Sequence, residues 1–376
     1  MNFNLTQIFL SVNLKKNSFK NKTKITLMSE TTPSSDKLAI IAGSTCIELA
    51  NQISIYLNDK KLTERTAQTF ANGEPNVEIL ETVSGKVCFI IQTSLTGQMA
   101  DNLLETLAIS DALYRARAKT VCLVQLLFPG SRQERREYGK YGKAKRRPIT
   151  ARIVADMYTK VAGIKGIVTV HLHAGAIEGF FQGHECFVEN LNPAQIVIDY
   201  LKEKKIINGN NNQVVLLAPD AGGVGYVSAI AKSLGLSYGI VDKTRTGPGK
   251  SEAMNIIGDV NGKLVLLWDD MVDSGNTAIK AAEKAISLGA IDVKLIATHP
   301  VLTGNAVQNL VISPFSEIIF TDTVPFSKLN LESLNKFTII PVAPVLADII
   351  ANIFNNKPLE EIVKLKLEEE NSVTAG

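Results

Sequence analysis

Cysteine is scarce in this chain: four residues in 376, at Cys46, Cys88, Cys122 and Cys186, with no CxxC pair. That excludes a disulfide framework and a thiolate zinc site, and Cys88 and Cys122 lie in apolar runs, as reduced core residues do. Tryptophan occurs once and histidine four times. Neither sign of charge dominates, with 40 basic against 37 acidic residues, so no global field recruits nucleic acid or a membrane surface. No apolar run approaches the roughly 18 residues that would span a bilayer. Arginine is absent from the first 36 residues, and their first acid is Glu30. This Lys- and Asn-rich stretch reads as a disordered extension. A mitochondrial transit peptide is the alternative, against which the missing arginine counts. Met28 is an alternative start.

What the chain has is alternation. From Lys37 onward, apolar strand-like runs such as KLAIIAG, KVCFIIQT, TVCLVQLLF and GIVTVHLHA alternate with helical stretches. A second series follows: QVVLLAPD, LSYGIVDK, KLVLLWDD, DVKLIATHP and EIIFTDTV. Strand–helix alternation predicts parallel sheets covered on both faces. Two series in a chain of this length predict two α/β domains. We place an extension at 1–36, a first domain at 37–189, a second at 190–342 and C-terminal helices with a disordered tail at 343–376.

The most informative stretch is WDDMVDSGNT, from Trp268 to Thr277. An apolar run expected to be a central strand leads into it, and a helical pattern follows. In open α/β sheets, ligands bind at the carboxyl ends of strands. A helix N-terminus there presents unpaired N–H groups that suit a phosphate. Ser274 and Thr277 add hydroxyl donors, and Gly275 lets the backbone approach closely. Asp269, Asp270 and Asp273 would repel a phosphate. They suit sugar hydroxyls or a shared divalent cation. The plain alternative is a helix cap beside a solvated acidic pair, but capping needs one such residue.

Two other strand ends carry chemistry. PDAGG places Asp220 before two glycines, a pattern that fits a metal-bound phosphate and equally an ordinary capped turn. HLHAGAIEGFF puts His171 and His173 on one strand face. A zinc site there would need further ligands, and His184 is the one nearby candidate. The basic segment FPGSRQERREYGKYGKAKRRPITAR, with interleaved tyrosines, reads as a nucleic-acid patch or a solvated loop.

Taken together, these motifs resemble the ribose-phosphate pyrophosphokinases, the phosphoribosyl diphosphate (PRPP) synthetases. WDDMVDSGNT is similar to the ribose-5-phosphate loop of that family and of the type I phosphoribosyltransferases, with Ser274 for a Thr and Asn276 for a Gly. HLHAGAIEGFF resembles a family segment in which His173 helps bind Mg–ATP, and His171 stands where the family has Asp. QTFANGEPNVEI resembles an adenine-binding Phe-x-Asn-x-Glu, carried by Phe70, Asn72 and Glu74. Arg132 and Gln133 match an ATP-contacting pair, Arg146 a regulatory phosphate or ADP loop, and Lys243 with Arg245 the catalytic loop DKTRTGPGK.

The resemblance implies two tandem phosphoribosyltransferase-like domains, each a mainly parallel sheet flanked by helices, with the C-terminal helices packed back on the first. It implies ATP and ribose 5-phosphate as substrates, PRPP and AMP as products, and Mg2+ as cofactor. Residues 269, 270 and 273–277 would hold the sugar phosphate. His173 and Asp220, with His171 as a further candidate, would hold the metal. It also implies a cytoplasmic homo-oligomer of dimers built into hexamers, or a hetero-oligomer with homologous subunits, binding no nucleic acid or membrane. A non-catalytic regulatory homologue and a nucleobase phosphoribosyltransferase are the rival expectations.

Overall fold

The computed structural model describes residues 35–359 apart from 67, 139–142, 182–185, 208–210, 245–252 and 326–334. Most of the N-terminal extension, His184, Tyr141, Arg245, the Gly-Pro-Gly at 247–249 and the C-terminal tail therefore lie outside the described residues, as does the side chain of Lys243.

Two sheets form the architecture. The first has the order β1-β4-β5-β6-β7, all parallel. Its strands are β1 (Leu38–Ala42), β4 (Val87–Gln92), β5 (Thr120–Gln125), β6 (Gly166–Val170) and β7 (Phe187–Leu191). A separate short hairpin pairs β2 (Gln68–Thr69) with β3 (Pro75–Asn76). The helices of this half are α1 (Ile47–Tyr56), α2 (Met99–Arg115) and α3 (Thr150–Asp156).

The second sheet has the order β10-β9-β8-β11-β12-β13-β14. It comprises β8 (Val214–Ala218), β9 (Ser237–Thr244), β10 (Ala253–Ile257), β11 (Leu264–Val272), β12 (Asp292–Pro300), β13 (Glu317–Thr321) and β14 (Phe337–Ile340). Every pairing is parallel except that of β10, which returns antiparallel along β9. Its helices are α4 (Ala194–Glu203), α5 (Val224–Leu234), α6 (Asn276–Ser287) and α7 (Ala306–Ile312), and α8 (Ala343–Phe354) follows the last strand.

Alternation along the strands sends residues to opposite faces. In β4, Phe89 and Ile91 join one buried cluster while Cys88 and Ile90 join another. In β11, Val265 and Leu267 face α6, and Leu266 with Trp268 faces α4 and α5. Both sheets are thus covered on both faces, which is why their strands read as continuous apolar runs. Helix α8 leaves the second sheet and buries Leu346, Ile349 and Ile350 against Ile40 of β1 and Ile53 of α1. Fully burying each such side chain contributes about 1.5–3 kcal/mol, so this helix straps the two halves together. No helix among the described residues is long and apolar enough to cross a membrane.

Candidate active site

Strand β11 runs farther than its apolar run predicts. It ends at Val272, so Asp269 and Asp270 lie within the strand. The reason is the neighbours. Pairing with β12 continues through Val272, but pairing with β8 stops at Leu267 because the chain turns away at Pro219. One edge of β11 is left unpaired beside the two carboxylates. Asp220 sits on the turn that leaves β8, its Oδ1 accepting from the N–H groups of Gly222 and Gly223 at 2.9 and 3.3 Å.

Helix α6 starts directly after β11. Its N-cap is Gly275, in left-handed backbone with φ 75°, and no side chain caps it. The plain capping alternative for Asp273 and Ser274 is therefore not what the fold does. The unpaired N–H groups of the first turn face the same end of the sheet as the exposed Ser274, Asn276 and Thr277. A glycine is required at the cap, since a side chain would strain this φ and a Cβ would press on Leu310 at 3.3 Å.

Asp273 is held aside. Its Oδ1 accepts from Thr303 Oγ1, and its Oδ2 lies 2.6 Å from Arg132 Nη1 of the first half. Burial pulls its carboxyl upward, but these two partners bring it below the usual range. Arg132 Nε also reaches Met271 Sδ at 3.2 Å. The same seam is crossed by His173, whose Nδ1 lies 2.7 Å from Asp270 Oδ2.

The acidic pair is electrostatically uneven. Burial raises Asp270, but hydrogen bonding to and charge on His173 overcome it and hold its carboxyl at about 2. Asp269 is pushed well above 3.8 by burial first, then by the charge of Asp270, with Asp220 adding to it. His173 shifts upward because it hydrogen-bonds Asp270, more than burial lowers it. The protein therefore holds one carboxylate whose ionised form His173 favours, and beside it a carboxyl whose ionised form burial and Asp270 disfavour.

His171 is placed differently. It has left-handed backbone at φ 44°. Its Nδ1 lies 2.6 Å from Thr298 Oγ1, and its ring stacks on Tyr226 at 4.2 Å. Burial lowers it to about 4.

The other sequence candidates are scattered. Gln133 is exposed and accepts a hydrogen bond from Thr150 at the start of α3. Arg146 is exposed next to the antiparallel bridge of Tyr138 with Ala144, where Lys145 and Arg147 both pair with Glu137. Phe70 is exposed beside the β2–β3 hairpin, where Asn72 Oδ1 accepts from Glu74 N at 3.2 Å. Among the described residues, no hydrogen bond or ion pair joins Phe70, Asn72 or Glu74 to the seam. Lys243 is in β9, backbone-paired with Met254. Thr303, Thr298 and Tyr226 were not evident from sequence, since a hydroxyl or phenol in an unremarkable segment carries no signal of its distant partner.

A parallel-sheet pair meeting at its strand ends, with an uncapped helix N-terminus beside paired carboxylates, defines a phosphoribosyltransferase-like α/β protein of two tandem units. Residues 38–163 match the N-terminal domain of ribose phosphate pyrophosphokinase, and residues 240–364 match a phosphoribosyl synthetase-associated domain. The ribose-phosphate pyrophosphokinases of Campylobacter jejuni and Wolinella succinogenes are each 38% identical over 323 residues, spanning 86% of this chain and 98% of theirs. The crystal structure of phosphoribosylpyrophosphate synthetase from Mycobacterium smegmatis superposes with a TM-score of 0.76 at 34% identity, covering 85% of this chain and 100% of that one. The chain belongs to the ribose-phosphate pyrophosphokinase family.

Proposed function

We propose that this enzyme transfers the β,γ-diphosphoryl group of ATP to the C1 hydroxyl of ribose 5-phosphate, giving PRPP and AMP for nucleotide biosynthesis. The observation that carries the reading is the uncapped N-terminus of α6 directly after Asp269 and Asp270. One end suits a phosphate and the other suits sugar hydroxyls, about one ribose apart in chemistry and adjacent in sequence. The 5-phosphate binds the first turn of α6 with Ser274, Gly275, Asn276 and Thr277. Asp269 and Asp270 accept from the ribose hydroxyls, which add donors to the Asp270 N–H that Asp269 already accepts. Arg132 and Gln133, with Phe70, Asn72 and Glu74, serve ATP.

The C1 oxygen forms a bond to the β-phosphorus, the bond from that phosphorus to the α,β-bridging oxygen breaks, and the hydroxyl proton is lost. No protein nucleophile is needed, because positioning and charge stabilisation dominate such transfers. Lys243 and Arg245 are the cations proposed to stabilise the group in transfer, and Arg146 is the proposed regulatory phosphate contact.

The residues fit Mg2+. Asp220 is an exposed oxygen donor, and the Nε2 of His173 has no hydrogen bond among the described residues. No cluster of three His, Cys, Asp or Glu closes a full metal cage among them. That suits an ion which keeps waters and takes its other ligands from substrate phosphates. Bound there, Mg2+ supplies neutralisation of phosphate charge. The reading extends to a cytoplasmic homo-oligomer of dimers assembled into hexamers, checked by light scattering. The test of the function is direct: purified protein with ATP, Mg2+ and ribose 5-phosphate should release AMP and PRPP in equal amounts. Absence of PRPP with every substrate present would sink the reading.

A further inference from the structure

His171 follows the end of β6, at the carboxyl edge of the first sheet, before the chain returns to that sheet as β7. Its backbone N–H donates to Leu191 O of β7 at 2.9 Å. Among the described residues, its other hydrogen-bond and ring partners come from the second half. Thr298 Oγ1 of β12 lies 2.6 Å from its Nδ1, and Tyr226 of α5 stacks on its ring with an interplanar angle of 29°. Its carbonyl faces His299 Nε2 at 3.3 Å. Tyr226 is itself fixed. Its hydroxyl donates to Asn192 Oδ1 at 2.9 Å, and its ring meets Trp268 edge-on at 6.3 Å. Trp268 is the residue before Asp269, and Tyr226 lies in the first turn of the helix that follows Asp220. Two residues beyond His171, His173 meets Asp270.

One imidazole thus touches β12, which pairs with the acid-bearing β11, and the helix that follows Asp220, and it sits on the chain segment that delivers His173 to the acids. We infer that His171 is a positioning residue: its ring, wedged between Tyr226 and Thr298, sets the register of the two halves so that His173 and Asp270 come together. An aromatic ring is what this place uses. A carboxylate would lose the stack and would set a charge against the face of Tyr226, whose ring electrons repel it. The left-handed backbone agrees, since it turns the chain sharply enough to bring both His171 and His173 across the seam. A misplacement of about 1 Å at a reacting group costs up to about a hundredfold in rate, so such a peg acts on turnover more than on binding.

The kinetic arm rests on the PRPP-forming reading, and a spectroscopic arm stands apart from it. Trp268 is the only tryptophan and is 1% exposed, so intrinsic emission reports this seam. His171→Ala should lower kcat by about tenfold, with KM for both substrates changed less than about threefold. It should also red-shift Trp268 emission and increase its quenching by acrylamide, while thermal unfolding stays cooperative. His171→Phe keeps the stack and should recover most of both losses, which also covers the case in which the alanine variant folds poorly. His171→Asp should behave as the alanine does. Combining His171→Ala with Tyr226→Ala should add little to the worse single change, because the two remove one contact. The inference is overturned by unchanged emission in His171→Ala, by a red shift with full kcat, by independent effects in the double variant, or by a gain in His171→Asp. If the wild type makes no PRPP, the function reading falls and the emission arm alone decides the seam.

Discussion

In the first sheet, β1 runs into Gly43, Ser44 and Thr45 before α1, and the protein's own carboxylate fills that turn. Glu105 of α2 accepts from Ser44 N at 3.2 and 3.1 Å, from Ser44 Oγ at 2.8 Å and from Gln92 Nε2 at 2.9 Å. Arg65 closes the group, its Nη2 lying 2.7 Å from Glu105 and its Nε donating to Ala42 O. In the second sheet, β11 runs into Asp273, Ser274 and Gly275 before α6. No side chain caps the N-terminus of either helix, but among the described residues no carboxylate accepts from the N–H groups of the turn before α6, and burial with the charge of Asp270 disfavours the ionised form of Asp269 beside it. The same strand–turn–helix unit is used both ways. A strand-end turn that leads into a helix attracts an anion. Where the chain supplies it, the turn is a structural joint; where it does not, the turn is the one we propose for the sugar phosphate.

The comparison breaks most visibly at the filled end. Glu105→Ala would strand the buried Arg65, whose side chain is 6% exposed. Removing one partner of a buried pair costs about 3–5 kcal/mol. Urea unfolding should show that loss. A cost under about 1 kcal/mol would mean Glu105 is not the joint, and the contrast between the two ends would disappear.

The next effect lies on the seam between the halves. His299 is buried, with Nδ1 2.9 Å from Thr323 Oγ1 and Nε2 donating to Val170 O at 2.9 Å. Burial lowers it from its ordinary 6.5. The unfolded chain therefore takes up a proton as pH falls through 6.5, and the folded chain does not. Stability is complete above 6.5 and declines below it. His171, held at about 4 by burial, acts in the same sense. His173 acts oppositely: its contribution is complete below 6.5 and fades as pH rises through its raised value. His299→Asn should cost about 1–3 kcal/mol at pH 7.5, the range for a buried polar group left without a partner. It should cost less at pH 5.5. An equal cost at both pH values would show that His299 titrates normally in the fold.

These two sites also mark what the sequence allowed to be read. The alternation of runs sufficed for two covered parallel sheets, because buried strands leave continuous apolar stretches. It did not show β7, whose FVENL holds a Glu and an Asn at a partly exposed sheet edge, nor the antiparallel return of β10. WDDMVDSGNT stood out because the proposed sugar and phosphate contacts would be adjacent in sequence, at the end of one strand. Arg132 and Asp273 were expected on opposite substrates, and they are 2.6 Å apart although 141 positions separate them. Pairings of that kind, like those of Glu105 with Arg65 and His171 with Tyr226, are set by how two sheets dock. No local pattern encodes them.

A smaller effect sharpens the open end. Gly275→Ala forces a side chain into φ 75° and against Leu310. The backbone strain alone is about 1–2 kcal/mol. The larger consequence expected is for ribose 5-phosphate, whose KM should rise while that for ATP holds. Equal changes in both would mean the α6 turn does not discriminate between the substrates.

The smallest effect on stability has the opposite sign. Asp269→Asn removes a charge that burial, Asp270 and Asp220 all disfavour. The amide oxygen can still accept from Asp270 N–H, as the carboxylate does at 2.9 Å. The variant should therefore be more stable at pH 7 by about 0.5–2 kcal/mol, the usual gain when a strained functional group is relieved. The sign follows from linkage. Folded Asp269 holds its proton above 3.8, where the unfolded chain has lost it, so wild-type stability falls as pH rises from 3.8 to the raised value. The gain should be absent below pH 3.8, grow through that window and stay constant above it. Ribose 5-phosphate should bind more weakly to the variant, because asparagine offers a poorer acceptor to the sugar hydroxyls. A loss of stability like that of Glu105→Ala would mean both strand ends are structural joints. Stability gained together with weakened sugar binding would mark the second end as one held unfavourable until its substrate arrives.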